Sequence, residues 1–360
     1  MKQRRCTSGR CKERRKTLGA DHASTFVTVN SLGLLYAAQG KLDEAEKMYQ
    51  RALQGQEKAL GADHISTLIT ANNLGLLYVD QGKLGEAEKM YHRSLQGKEK
   101  TLGADHTSTL GTVNNLAGLY KYQGKLSEVE NMCQRVLNGY EKALGADHTS
   151  TLTTVNNLGL LYAEQGKLDE AEKMYQRALQ GNEKALGAEH TSTLVIVNNL
   201  ALLYAEQGKL DEAERMHQRV LQEKEKALGA DHTSTLDTVN NLGLLFTKQG
   251  KLGEAEKMYQ RALQGYGKAL GADTVSHNIP ALNTAYNLGL LYSTQGEVEK
   301  SKTMYSRALV GYETAFGYDH EKSKDVRVRI SDLATNTRGS TRSSKRHTLL
   351  KRIGWRRIDY

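Results

Sequence analysis

The stretch Leu144-Gly145-Ala146-Asp147-His148 returns along this chain every 42 residues, beginning at Leu18, Leu60, Leu102, Leu144, Leu186, Leu228 and Leu270. Glu189 stands for Asp in the fifth copy and Thr274 for His in the seventh, and Phe316-Gly317-Tyr318-Asp319-His320 closes the series in degenerate form. A fixed period of this length marks stacked repeats, each burying its apolar face only against its neighbours. Repetition also bears on function. Near-copies leave few unique constellations of side chains, and catalysis generally needs one, so the pattern points to binding.

The unit between two such turns reads as two helices. After Gly145-Ala146, the side chains of Asp147, Thr149, Ser150 and Thr151 are able to cap a helix N-terminus. Val155, Leu158, Gly159, Leu161 and Tyr162 then follow at helical spacing until Gln165-Gly166. A second helix places Leu168, Ala171, Met174, Tyr175, Ala178 and Leu179 on one face. Its acids Asp169, Glu170 and Glu172 lead and Lys173 and Arg177 follow, the order that suits the helix dipole. A small residue in each first helix (Gly33, Gly75, Ala117, Gly159, Ala201, Gly243, Gly289) is expected to face a small residue in the second (Ala45, Ala87, Val129, Ala171, Ala213, Ala255, Ser301). With Val129 against Ala117, the third unit should pack wider.

Seven helix pairs are expected, at roughly 24–58, 66–101, 108–143, 150–185, 192–227, 234–269 and 280–315. Residues 8–18 match the tail of a second helix, and Asp325–Leu333 reads as an unpaired first helix acting as a cap. Four extra residues between Asp273 and Asn287 predict a longer loop at His277–Pro280. The organisation is then a basic segment at 1–17, repeats at 18–320, a capping helix at 321–339 and a basic, disordered tail at 340–360.

Composition agrees with a helical stack. The 360 residues include one proline, three phenylalanines and 18 tyrosines, the last spread one or two per repeat. The net charge of +9 is uneven: +7 falls on residues 1–17 and +8 on 321–360, leaving −6 on the body. Cys6, Cys11 and Cys133 are too few and scattered for a disulfide framework or zinc site. No apolar run approaches the ~20 residues of a membrane span, and a reducing, cytoplasmic setting is expected.

The run Asn156-Asn157-Leu158-Gly159-Leu160-Leu161-Tyr162, followed by Gly166-Lys167-Leu168-Asp169-Glu170-Ala171-Glu172-Lys173-Met174-Tyr175-Gln176-Arg177-Ala178-Leu179, resembles the tetratricopeptide repeat. The 42-residue period, the Asn-Asn pair and the Leu-Gly-x-x-His turn resemble the kinesin-light-chain type, and similar arrays are joined to nucleotide-binding switch domains in fungal proteins. The resemblance covers residues 18–320 and implies an all-α fold, a right-handed solenoid (superhelix) of stacked antiparallel helix pairs. It also implies that the first helices line a concave groove in which Asn side chains clamp the backbone of an extended peptide. Carried over by position, the clamp is Asn73, Asn115, Asn157, Asn199, Asn241 and Asn287, with Ser31 in the first unit. The preceding Asn72, Asn114, Asn156, Asn198 and Asn240, with Asn30, share the clamp or tie adjacent helices together. A carboxamide both donates and accepts, so it holds a peptide bond of any sequence. Selectivity then falls to positions that differ between units, among them Asp80, Tyr122, Glu164, Glu206 and Lys248, whose acids favour basic or amphipathic ligands.

Other chemistry finds little support. Equivalent histidines in stacked units lie roughly 10 Å apart, one helix spacing, whereas zinc ligands approach the metal to ~2 Å. The histidines therefore read as loop and capping residues. No His-Glu-x-x-His, Gly-x-Ser-x-Gly or Gly-x-x-x-x-Gly-Lys-[Ser/Thr] occurs. The expectation is a non-catalytic scaffold, with no cofactor or metal, for a protein or peptide partner rather than a small molecule. The alternatives are a sensor or adaptor piece of a larger switch protein, a kinesin-light-chain-like cargo adaptor, or a protein that meets membrane or nucleic acid through its basic ends. The tail Ser343–Tyr360, which mixes Lys351, Arg352, Arg356 and Arg357 with Leu349, Leu350, Ile353 and Trp355, is the candidate membrane contact.

Overall fold

The computed structural model describes residues 22–336. The expected helix tail at 8–18 and both basic ends lie outside the described residues. The chain divides into two compact units, 1–167 and 168–360. The first holds α1 (Ala23–Ala37), α2 (Leu42–Leu60), α3 (Ile65–Asp80), α4 (Leu84–Leu102), α5 (Thr107–Tyr122), α6 (Leu126–Leu144) and α7 (Thr149–Glu164). The second holds α8 (Leu168–Leu186), α9 (Thr191–Glu206), α10 (Leu210–Leu228), α11 (Thr233–Lys248), α12 (Leu252–Val275), α13 (Ile279–Gln295), α14 (Val298–Phe316) and α15 (Glu321–Asn336). Odd numbers are the first helices of the repeats and even numbers the second. Among the described residues every regular element is a helix. In each unit helix follows helix through turns of four residues or so, which makes neighbours antiparallel.

The Leu-Gly-Ala-Asp-His turn reverses the chain, caps the next helix and reaches the next repeat. Gly61 turns the chain at φ 98°, a conformation that favours glycine. His64 is the N-cap of α3: the backbone N–H of Ser66 donates to its Nδ1 at 3.2 Å. Thr67 Oγ1 reaches back to donate to the Gly61 carbonyl at 2.9 Å. The imidazole thus caps the helix, as the reading of the histidines as capping residues had it, and the neighbouring Asp, Ser and Thr do not take that place. The same cap recurs at His22, His106, His148, His190 and His232. Asp63 instead faces the next repeat, 2.6 Å from Lys100 Nζ.

The seventh turn lacks its histidine, and the loop expected at His277–Pro280 is not what forms. Helix α12 instead carries on to Val275 past a bend at Gly271, whose φ is 75°. The cap moves to Asn278, whose side chain accepts from the Ala281 N–H at 3.0 Å, with Pro280 in the first turn of α13. Thr274 cannot place a ring nitrogen over the helix end. The start of α13 therefore shifts to the next residues that suit a helix N-terminus, Asn and Pro.

Each helix pair closes by a reciprocal insertion. A Cβ on Gly75 of α3 would lie 2.7 Å from the Tyr91 ring of α4, and Gly97 of α4 seats Leu68 of α3 in the same way. The first-helix glycine therefore accommodates a ring, where Ala87 had been expected to lie against it. Gly33 with Tyr49, Gly243 with Tyr259 and Gly289 with Tyr305 repeat the arrangement. Where the first helix carries Ala117 or Ala201, the tyrosine is replaced by the smaller Cys133 or by His217, both buried. Those third and fifth pairs approach less closely than their neighbours in the same units, the third as Val129 and Ala117 led one to expect. Apolar clusters run from repeat to repeat in each unit, through Tyr49, Leu74, Tyr91 and Leu116 in the first and Tyr259, Leu288, Tyr305 and Val326 in the second.

Between repeats a buried polar contact recurs with changing chemistry. In the first junction Thr70 Oγ1 donates to Gln56 Oε1 at 2.7 Å. In the second, Lys98 takes the glutamine's place, 4% exposed, donating to Thr112 Oγ1 at 2.8 Å and the Ser108 carbonyl at 3.2 Å. Burial pushes its ammonium down to about 8.

Two predictions come from this packing. Cys133→Tyr should lower stability by about 1–3 kcal/mol, because the ring meets the Ala117 methyl. Adding Ala117→Gly should recover most of that loss, read as coupling in urea unfolding. Lys98 is a base whose folded value lies below its unfolded one. The unfolded chain therefore binds more protons between about pH 8 and 10.5, and stability rises with pH across that window. Lys98→Gln should stabilise the protein by about 2 kcal/mol at neutral pH and flatten the rise, measured by urea midpoints at several pH values.

Candidate functional site

Successive first helices approach one another at α1–α3, α3–α5 and α11–α13. The Asn pairs sit midway along these helices. Asn73 Nδ2 donates to Asn30 Oδ1 at 3.3 Å, and Asn115 to Asn72 at 3.1 Å. In the second unit Asn241 donates to Asn198 at 3.3 Å, and Asn287 to Asn240 at 3.2 Å. The second Asn of one repeat thus reaches the first Asn of the repeat before it. Residues 73, 114, 115, 157 and 287 are half-buried, whereas Asn156, Asn198, Asn199 and Asn241 are buried. The ladder ends at Tyr286, where Arg329 lies over the ring, 5.2 Å from its centroid. The carboxamides are held in register by one another, each with further donor or acceptor capacity left.

The positions expected to select a ligand lie at the C-terminal ends of the same helices. Asp80, Glu164 and Glu206 are exposed, Tyr122 is 76% exposed and Lys248 is half-buried. They are not equivalent. Glu164 is 3.0 Å from Lys121 Nζ. Lys248 donates toward the Ala205 carbonyl at 3.5 Å, and burial pushes its ammonium down against the charge of Glu206. Asp80 has no ion pair among the described residues.

A second recurring site escaped the sequence reading. Glu46, on the second helix of the first repeat, accepts from Gln81 Nε2 and Lys83 Nζ of the next, both at 2.9 Å. Lys83 also stands over the Tyr78 ring, 5.4 Å from its centroid. Glu88 takes Gln123 and Tyr120, Glu130 takes Gln165 and Lys167, Glu172 takes Gln207 and Lys209, and Glu214 takes Gln249 and Lys251. Hydrogen bonds from Lys167 and Gln165 hold the Glu130 carboxyl below the usual carboxylate range. The signal was present as a constant separation of Glu from the later Gln-Gly-Lys. It becomes legible only once one helix is known to end beside the next repeat's turn. Among the described residues no cluster of three or more His, Cys, Asp or Glu converges as a metal site would, and no helix is long and apolar enough to cross a membrane.

The ladder sets an expectation for stability. Asn241→Ala leaves the buried Asn198 Oδ1 without its donor and should cost about 1–2 kcal/mol in urea unfolding. Asn73→Ala should cost less than half as much, since water reaches the half-buried Asn30.

Models of the tetratricopeptide repeat match residues 21–100, 66–142, 108–184 and 192–268. Two further models of the same repeat match 281–321 and 156–227. Comparison with curated proteins gives no match. Among solved structures, a Podosopora anserina protein of nearly identical TPR-like repeats, described as a kinesin light chain, is 26% identical with a TM-score of 0.51, covering 57% of this chain and 98% of that one. BtubC (BKLC) from P. vanneervenii is 20% identical with a TM-score of 0.51, covering 73% of this chain and 95% of that one. A signal-transduction ATPase of the STAND class with a tetratricopeptide repeat sensor, from Pyrococcus horikoshii, is 14% identical with a TM-score of 0.63, covering 86% of this chain and 44% of that one. The last two likenesses are of fold alone. Helix pairs, turn and sequence matches agree, and the chain belongs to the tetratricopeptide repeat family.

Proposed function

We propose that this protein is a non-catalytic scaffold that holds an extended segment of a partner protein along its first helices. The tetratricopeptide repeat is an interaction fold in general, and the observation that carries the finer reading is the carboxamide row. Each Asn–Asn bond uses one N–H and one acceptor, while a carboxamide has two of each to give. Half-buried groups such as Asn73 and Asn115, each fixed by its bond to the preceding repeat, keep part of that capacity toward solvent at the spacing of the repeats. Such a row suits the backbone of a peptide, whose groups are the same whatever its sequence. The variable ends of the helices, Asp80 to Lys248, then choose among sequences. No step of this function calls for a cofactor, a small-molecule substrate or nucleic acid, and the cytoplasm is the setting we infer.

Likeness to the sensor of the STAND ATPase supports a related reading, in which the same row reports a bound segment to a nucleotide-binding switch elsewhere in a larger protein. Cargo binding in the manner of a kinesin light chain would use the same surface. The deciding experiment is a pull-down with the full chain, compared with Asn115→Ala/Asn157→Ala. Partner retention should fall about five- to thirtyfold, equivalent to ~1–2 kcal/mol, with circular dichroism unchanged. Unfolding of the variant instead would assign the row to structure.

A further inference from the structure

The two ends of the Asn row do not present the same surface. On α1 the side chains of Val27, Ser31 and Leu34 share one face, and on α3 those of Ile69, Asn73, Leu76 and Asp80 share the equivalent face, at the i, i+4, i+7 spacing of a helix. Val27, Leu34, Ile69 and Leu76 are 40–48% exposed. The residues equivalent to Leu34 and Leu76 in the second unit, Leu202, Leu244 and Leu290, are buried. The same sequence position is thus exposed in the first two repeats, half-buried at Leu160 and in the core at Leu202, Leu244 and Leu290. Beside this strip, Gly111 and Gly118 occupy the matching positions on α5, and nothing lies within 4 Å of where their side chains would begin. The strip therefore borders open space on that side rather than a neighbour's side chain.

Charge defines what fits. Helices α1 and α3 carry a single charged residue between them, Asp80. Lys121 on α5 is engaged with Glu164 on α7, so the next acid along the row already has its cation. Asp80 does not, and it stands at the end of the Ile69–Leu76 face. We propose that this strip is the apolar anchor of the site: it takes an extended segment of a partner protein that bears apolar side chains three residues apart followed by a lysine or arginine, which Asp80 pairs. Side chains three residues apart in an extended chain are ~9 Å from one another, close to the separation of adjacent first helices. The inference rests on the groove reading above and adds where along it the apolar part of the ligand lies and which charge follows.

The test uses the full chain and a fluorescein-labelled synthetic peptide of about ten residues, serine-based, with leucine at every third position and two lysines at its C-terminus. A counterpart has glutamates in place of the lysines. By fluorescence anisotropy the lysine peptide should bind, and more tightly than the glutamate one. Ile69→Ser/Leu76→Ser should weaken it at least about tenfold, as should Val27→Ser/Leu34→Ser. Asp80→Asn should weaken the lysine peptide about threefold and should not weaken the glutamate peptide. All three replace exposed side chains, so an unchanged thermal transition is expected alongside. Absence of binding by the lysine peptide, or binding by either serine variant as tight as that of the unaltered chain, overturns the proposal. So does a concentration-dependent dimer in sedimentation that the serine variants dissolve, since the strip would then belong to a second copy. If Asn115→Ala/Asn157→Ala abolishes peptide binding while the serine variants leave it intact, the strip falls and the groove reading stands. Loss through the serine variants alone removes the carboxamide clamp and keeps the strip.

Discussion

A tyrosine ring lying on bare helix backbone is the contact on which the rest of this structure depends. Two helices of 15–19 residues have little apolar surface to share, and they hold together only if their axes come close. The ring of Tyr91 on Gly75, answered by Leu68 on Gly97, lets them do so from both sides at once. A glycine inside a helix costs about 1 kcal/mol against alanine, while full burial of a large apolar side chain returns about 1.5–3 kcal/mol. The exchange is favourable for each glycine. It also explains the exceptions. Ala117 and Ala201 add a methyl where the ring would rest, and Cys133 and His217 give the space back. The fifth pair also has Glu223 where its neighbours have glycine, and it stays more open. What recurs from pair to pair is the compensation, a larger first-helix residue going with a smaller second-helix one, and not the identity of either residue.

Junctions between repeats work by a different principle. They combine the Glu46 contacts with Gln81 and Lys83, ion pairs such as Arg135 with Glu99 at 2.6 Å, and the Asn ladder. Most of these groups are partly exposed, and single surface pairs of this kind contribute about 0–1 kcal/mol. Their effect lies in geometry. Each fixes the rotation of one repeat on the next, so that the first helices stay in register. Residues placed seven apart on one helix then find their counterparts opposite on the next, which a binding face requires.

Much of this was legible before any coordinates. The 42-residue recurrence gave the repeat, the Gln-Gly and Leu-Gly steps gave the turns, and Asp325–Leu333 marked the last helix. What failed to show was whatever depends on which side chain wins a local competition. Asp147, Thr149 and His148 all stand near the start of α7, and only backbone angles reveal that the imidazole reaches the free N–H. At Thr274 the loss of that ring moved a helix boundary, a change that counting residues turned into a loop. The Asn row was visible as a row, yet its partners lie one repeat away and one residue out of step, Asn73 with Asn30. The contrast between exposed Leu76 and buried Leu244 could not be read at all, because the two stand in nearly identical sequence. Identical letters differ in burial when neighbouring repeats sit differently.

The Glu-to-Gln-Gly-Lys contacts have a mechanical consequence. In either unit they join residues 32–37 apart, so each one bridges a single junction and none ties together repeats that are not adjacent. Tension along the chain would meet these junctions in series, like equal links, and the load on one is not shared by the rest. Extension would then proceed in steps of one repeat, starting from whichever link is weakest, and relaxation would rebuild them one at a time. Such a stack behaves as a spring with a built-in unit of length.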